Sequence, residues 1–447
     1  MRSSRLGGAA VFLVLCALAL AAGAAGRPGL AVGVVSVQAR SSSASIGWRA
    51  TGPVRVVVEY GLDATYGVWS RPSGAARTTG RVDVGGLEPD TTYAFRVDAY
   101  GGPGQALATG RFTTGPVPAW TLARTTAQGL FLDWQPFFPR MVWEQCPWAY
   151  PESLAAGVNL YLGSSCADAT TQLADLSGRA FSAIPLGQRG TDGRGLVGWY
   201  QPDEPDEHTT PLALAVPPSQ QQTDRVTFLT LGSHFFTATA PPAAGRGIYP
   251  SLIAESNMVG FDLYPLQGWC RWALQAVYQA QRQLVALAAG RPTYQWIEAA
   301  PMSRCTGFDP TPQTVRAETW LAIAGGARGI GWFPSEWSPA VGAEITVLDR
   351  QIASLAPALL GRDVPVVSSQ TSPVKVGART YHGATYVIAA SASVSTRRVS
   401  FSVPGLWAGL LTVLGENRMI PTRGVKITDT FAGLGVHIYV SPPASPR

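Results

Sequence analysis

The sequence predicts a multidomain protein: an N-terminal β-sandwich, a central (β/α)8 TIM barrel and a C-terminal antiparallel β-sandwich. Three observations carry that expectation. Eight apolar, strand-like runs recur within residues 116–362, each followed by a helical or Pro/Gly-rich segment. The flanking stretches, 30–115 and 363–447, instead alternate apolar and polar residues with a period of two. The chain has 447 residues, 46% of them apolar, enough for several cores.

The segments take their places in order. Arg2 and Arg5 precede the apolar stretch 9–22 and the small-residue run AAGAAG, the pattern of a secretory signal peptide over 1–26. No later stretch has the length and apolarity of a membrane span, so the expected mature protein is extracytoplasmic, bacterial and free of the membrane. Residues 27–115 form the first domain, with "ASIGWRA" and "VRVVVEYG" as alternating strands. The barrel runs are RMVWEQ (140–145), VNLYLG (158–163), AFSAIPL (180–186), LVGWYQ (196–201), RVTFLTL (225–231), MVGFDLY (258–264), PTYQWIE (292–298) and GIGWFP (329–334). They are apolar throughout, as strands buried on both faces must be. Residues 272–290 and 314–327 have helical periodicity. Residues 363–447 form the last domain, with strands in "ATYVIAASAS", "RRVSFSVPG", "LLTVLG", "VKITDT" and "GVHIYVSP".

Composition narrows the function. The net charge is +6, yet only Lys375 and Lys426 are lysines and no basic run occurs, which argues against a nucleic-acid partner. Charged residues are 14% of the chain and tryptophans number 14, a composition suited to a neutral, ring-shaped ligand. His208 and His234 are too scattered for a metal site, and neither a metal nor a cofactor is expected. No HExxH, GxSxG or P-loop string occurs.

A TIM barrel carries its chemistry at the C-terminal ends of its strands. There the sequence places Asp203 and Glu204 (strand four), Asp262 and Tyr264 (strand six), Glu298 (strand seven), Trp332 and Glu336 (strand eight), and Trp143 and Glu144 (strand one), with Trp296 inside strand seven. Two carboxyls facing each other among aromatic rings are what glycoside hydrolysis needs: one protonates the leaving oxygen and the other attacks the anomeric carbon or activates water. An ion pair with an arginine such as Arg304 is the structural alternative for Glu298. After export, Cys146, Cys166, Cys270 and Cys305 remain, an even number without zinc spacing. Each follows a strand on the active-site face, and neighbouring loops pair them as Cys146–Cys166 and Cys270–Cys305.

Two family resemblances add to these readings. "GLEPDTTYAFRVDAYG", with Leu87, Pro89, Thr91, Tyr93, Phe95 and Val97, resembles the fibronectin type III consensus, which implies Trp48 in the core and Tyr93 as a corner tyrosine. The barrel resembles the clan of retaining glycosidases with catalytic acids on strands four and seven, through Asp203-Glu204-Pro205, Glu298, Tyr264 and Trp332. That resemblance implies Glu204 as acid/base, Glu298 as nucleophile, Tyr264 as an assisting residue and Trp332 as the floor of the sugar subsite; Asp203, Asp262, Trp143 and Trp296 are the further substrate contacts expected at the strand ends. Asp203 stands where the clan has Asn, and the clan's Arg on strand two and His on strand three have no match. A Glu204–Glu298 separation of about 5–5.5 Å implies retention of configuration, and one of roughly 6.5–9.5 Å inversion. The expectation is a monomeric, secreted glycosidase acting on a polysaccharide or oligosaccharide. The alternatives are a non-catalytic carbohydrate-binding or cell-surface protein on the same scaffold, and an inverting hydrolase or transglycosidase using Asp262 or Asp203.

Overall fold

The computed structural model describes residues 29–101, 104–188, 195–207, 224–237, 246–302, 304–406 and 409–443. The expected signal segment 1–26 and His208 lie outside the described residues. The chain divides into two compact units, one ending at Gly115 and one spanning Pro116–Pro443.

In the N-terminal unit the two alternating segments are joined through Gly52 and Pro53 into one 19-residue strand, Ser43–Gly61. Its first part pairs antiparallel with Val32–Ala39 and Arg77–Gly85. Its second part pairs with Val68–Trp69 and Thr92–Gly101, and the latter pairs with Gly104–Thr113. One strand thus serves two sets of partners. Trp48, Tyr60, Tyr93, Phe95 and Val97 are buried. The Tyr93 hydroxyl accepts the Glu88 N–H at 2.9 Å, which holds the turn before the strand.

The eight apolar runs form eight parallel strands: β1 Arg140–Trp143, β2 Leu160–Leu162, β3 Phe181–Pro185, β4 Leu196–Tyr200, β5 Val226–Leu231, β6 Met258–Phe261, β7 Gln295–Glu298 and β8 Ile330–Phe333. Neighbours pair in parallel from β1 to β6 and from β7 through β8 back to β1, with a register irregularity between β3 and β4 at Ser182/Ala183. A parallel bridge between Val259 and Thr293 closes the barrel. Met141, Leu160, Phe181, Val197, Phe228, Met258, Tyr294 and Trp296 fill the interior. The large rings of Trp296 in β7 and of Tyr294 just before it fit because their neighbours are glycines: a Cβ at Gly260 would lie 2.0 Å from Tyr294, and one at Gly331 2.0 Å from Trp296. Outward-facing Ile184 and Trp199 pack with Leu173, so these strands are apolar on both faces.

Six helices are described around the barrel: α1 Tyr150–Ala156, α2 Ala169–Asp175, α3 Tyr249–Ala254, α4 Gln275–Leu287, α5 Pro312–Gly325 and α6 Pro339–Leu359. The α5 helix starts with a Thr311/Thr314 capping box and stops at left-handed Gly326, and α6 is capped by Ser338. A small antiparallel sheet (Ala123–Thr126, Gly129–Leu132, Gln135–Phe137) sends Leu130, Leu132 and Phe137 into the barrel core. The Ala123 N–H reaches the Asp224 carbonyl just before β5, which puts this sheet at the N-terminal end of the barrel.

The rest of the second unit is antiparallel β structure. Arg362–Val364, Val374–Tyr381, Ala384–Ser391, Leu410–Val413, Arg418–Pro421 and Val436–Ser441 form one sheet, and Arg397–Ser402 pairs with Lys426–Phe431. Val376, Val387, Phe401, Ile427, Phe431 and Tyr439 share a core between them. This layer lies on α5. A Cβ at Gly377 would come within 2.3 Å of the Ala324 carbonyl, and Arg379 donates to the Ile323 carbonyl at 3.1 Å. Arg328 and Arg379 also grip Asp363, at 2.9 and 2.7 Å.

Candidate active site

A cleft of about 560 Å³ lies at the C-terminal ends of the strands, lined by residues of the β1, β4, β5, β6, β7 and β8 ends. Its acids are Asp203, Glu204, Glu207 and Asp262, and its aromatic walls are Trp143, Tyr264, Trp269, Trp296 and Phe333.

The end of β4 presents two consecutive acids to one space. Successive residues of an extended strand point to opposite sides. Glu204 has φ +40°, a left-handed conformation that costs a non-glycine residue on the order of 1–3 kcal/mol. That bend puts both Asp203 and Glu204 on the cleft wall. Neighbouring bonds hold it. The Glu204 N–H donates to the Thr230 carbonyl at 3.1 Å, and the Glu207 N–H to the Glu204 carbonyl at 2.9 Å. Buried Asp206 accepts the Gly232 N–H at 2.7 Å and the Tyr249 hydroxyl at 3.0 Å. Glu207 pairs with His234 Nε2 at 2.8 Å.

Opposite that turn, the Asp262 N–H donates to the Leu231 carbonyl at the end of β5. The Tyr264 hydroxyl donates to the Asp262 carboxyl, and the Glu204 and Asp262 carboxyls are electrostatic neighbours on the cleft wall. Burial, and then the negative neighbours Asp203, Glu207 and Asp206, push Glu204 up to about 7. Burial and the Glu204 charge push Asp262 well above the ordinary carboxyl range. Burial and the Glu144 charge bring Asp203 to about 6. Two neighbouring carboxyls cannot both ionise cheaply, so the pair shares a proton near neutral pH.

The floor and wall are aromatic. Trp296, 2% exposed, is anchored by its indole N–H on Thr230 Oγ1 at 3.1 Å. Trp143 meets Trp296 and Tyr200 edge-on, at 6.1 and 4.7 Å. Tyr264 stacks on Phe333 at 5.6 Å. The Tyr200 hydroxyl donates to Glu144 at 3.3 Å, behind Trp143.

Two expected site residues are elsewhere. Glu298 is fully buried and does not line the cleft. Its two oxygens accept the Leu266 and Gln267 N–H groups, each at 2.8 Å, and Glu318 of α5 lies against it. Burial raises Glu298 to about 7, and burial together with the Glu298 charge raises the neighbouring Glu318 further. The Glu298 carboxyl is therefore engaged in holding the loop after β6, and its partners are backbone amides rather than Arg304. Trp332 is also fully buried, with its indole N–H directed at Asp349 of α6 at 3.4 Å. Inward and outward residues alternate along β8, so the ring that reaches the cleft is its neighbour Phe333. Asp203, Glu204, Asp262, Tyr264, Trp143 and Trp296 do meet in one cleft.

Both disulfides form, Cys146–Cys166 and Cys270–Cys305, with Cα–Cα distances of 5.2 and 5.1 Å. Each joins loops that follow adjacent or nearby strands at the cleft end. Among the cleft residues not singled out as ligand contacts from the sequence are Trp269, Met302 and Arg304. Trp269 and Arg304 directly precede disulfide cysteines, and that adjacency was a usable signal. Buried Gln267 joins the same loops: its amide nitrogen donates to the Phe308 carbonyl at 3.0 Å, and its amide oxygen accepts the Met302 N–H at 2.8 Å.

No family model matches the chain, and no curated protein matches it. Among solved structures, the chain is similar to a putative α-galactosidase/melibiase from Bacteroides fragilis NCTC 9343, at 10% identity over 92% of this chain and 96% of that one, with a TM-score of 0.48. It is similar to a cyclomaltodextrinase at 8% identity over 90% and 97% of the two chains, TM-score 0.45. A GH30 endoxylanase from Clostridium papyrosolvens C71 matches at 10% identity over 72% and 98%, TM-score 0.39. Identities of this order carry no residue role from those proteins to this one.

Proposed function

We propose that the protein is a glycoside hydrolase whose catalytic carboxyls are Glu204 and Asp262. The carrying observation is that both carboxyls line one aromatic-walled cleft at the ends of β4 and β6, with Tyr264 donating to Asp262. Near neutral pH the pair holds one proton between them, and the reaction requires it on Glu204, which delivers it to a glycosidic oxygen while Asp262 is ionised. Asp262, oriented by Tyr264, is the second carboxyl, acting on the anomeric carbon or on the attacking water. Asp203 serves as a hydroxyl acceptor and keeps the Glu204 pKa high. Trp143, Trp269 and Trp296 offer ring faces or edges to the sugar.

Two disulfides fit an oxidising, extracytoplasmic compartment, as the signal-like start of the chain does. Among the described residues, no helix is long and apolar enough to cross a membrane. The N-terminal unit is read as a fibronectin type III-like module, supported by buried Trp48 and by the Tyr93–Glu88 bond, with a spacing or tethering role.

The test is turnover of a panel of oligosaccharides and polysaccharides by wild type, Glu204→Gln and Asp262→Asn. The expected result is cleavage by wild type and a loss of about 10²–10⁴-fold in each variant. Binding without cleavage by wild type would support the carbohydrate-binding alternative instead.

A further inference from the structure

Trp120, Trp134, Trp148 and Trp272 are large exposed rings, at 50%, 66%, 67% and 51%. They divide by position. Trp120 and Trp134 belong to the N-terminal end of the barrel, and each is covered by a guanidinium: Arg225 lies 4.2 Å over Trp120, and Arg124 lies 4.4 Å over Trp134. Trp148 and Trp272 belong to the cleft-bearing end, and among the described residues no cation covers either ring. Both stand two residues beyond a disulfide cysteine, in Cys146-Pro147-Trp148 and Cys270-Arg271-Trp272. The clamped loops are continuous with the cleft: Trp269 and Arg304 flank the second disulfide and line the cavity, and Trp143 precedes the first. Trp272 is propped by Phe308 at 6.3 Å.

An exposed indole is costly to leave in water, and single exposed rings need no special account. Here, however, the rings at one end are covered by arginine, while those at the other end are left bare on loops stiffened by covalent bonds. Bare, rigid aromatic faces beside a sugar-sized cleft suit the apolar faces of further sugar rings, with little ordering entropy lost on binding. We propose that Trp148 and Trp272 are outlying sugar-binding platforms and that the ligand is a carbohydrate chain longer than the cleft itself. The identity of the ligand as carbohydrate rests on the function proposed above, whereas the platforms are tested by binding alone.

The experiment is calorimetric titration of Glu204→Gln protein, which blocks turnover, with disaccharides and hexasaccharides of the cello-, xylo-, manno-, malto- and chito-series. In at least one series the hexasaccharide should bind about tenfold or more tighter than the disaccharide. The added changes Trp148→Ala and Trp272→Ala should remove that advantage while leaving disaccharide binding and the melting temperature unchanged. Equal binding of both lengths in every series, no binding in any, or a length advantage that survives both changes would overturn the proposal. Length-dependent binding by a wild-type protein that cuts none of these chains would sink the hydrolase reading and leave the platforms standing.

Discussion

Two pairs of acids sit at the same end of the barrel and differ in what surrounds them. Glu204 and Asp262 face an open cleft, while Glu298 and Glu318 are sealed behind it. Burial raises all four, so a displaced pKa does not by itself separate chemistry from architecture. What separates them is where the oxygens point. Both Glu298 oxygens take backbone N–H groups and have no access to a ligand, whereas Glu204 and Asp262 both line the cavity. A carboxylate at a strand end becomes available for chemistry only if the backbone around it is satisfied by other groups. At Glu204 that is achieved by the left-handed turn and by Asp206, which takes the amide of Gly232.

This contrast can be broken from either side. The largest effect is on turnover: Glu204→Gln should lose about 10²–10⁴-fold in kcat, by removal of the general acid. The mirror effect is on stability. Glu298→Met strips the acceptors from two buried amides and should cost about 2–4 kcal/mol in denaturant unfolding, at 1–3 kcal/mol for each unsatisfied group. An unchanged midpoint would contradict the clamp role.

A smaller effect appears in the pH dependence of stability. Glu204 binds its proton more tightly in the folded state, at about 7 against an ordinary 4.5. Between those values the native state holds more protons than the unfolded one, so stability falls as pH rises through this window. Glu204→Gln should therefore raise the melting temperature at pH 8 and leave it unchanged at pH 4; a rise at both would mean that burial, not charge, is being relieved. Smallest is a shift in the rate profile. Asp203→Asn removes a negative neighbour that lifts Glu204, so the alkaline limb of kcat/KM should move to lower pH, and a move upward would sink that coupling.

The barrel was legible because strands buried on both faces are apolar throughout, and each of the eight runs contains the observed strand. In the tail, the five alternating segments became strands, but Val374–Tyr381, interrupted by Gly377, and the short Arg418–Pro421 were not singled out. The small sheet at 123–137 was likewise missed, since its strands of three or four residues carry too little periodicity. Within the site, the spacing of Glu204 and of Asp262 from their strand ends was readable. The turning of Glu298 and Trp332 away from the cleft was not. Which face of a strand end meets the cavity depends on register, and a one-residue difference exchanges Phe333 for Trp332. The pairing of Glu204 with Asp262 depends on a positive φ at a glutamate, a conformation that no residue type announces.

The most direct measurement is a side-by-side assay of Asp262→Asn and Glu298→Gln on whichever glycan the wild type cleaves, with both proteins shown to be folded by circular dichroism. The account predicts loss of about 10²-fold or more for Asp262→Asn and retention of activity within about tenfold for Glu298→Gln. Full activity in Asp262→Asn together with a dead, folded Glu298→Gln would contradict it.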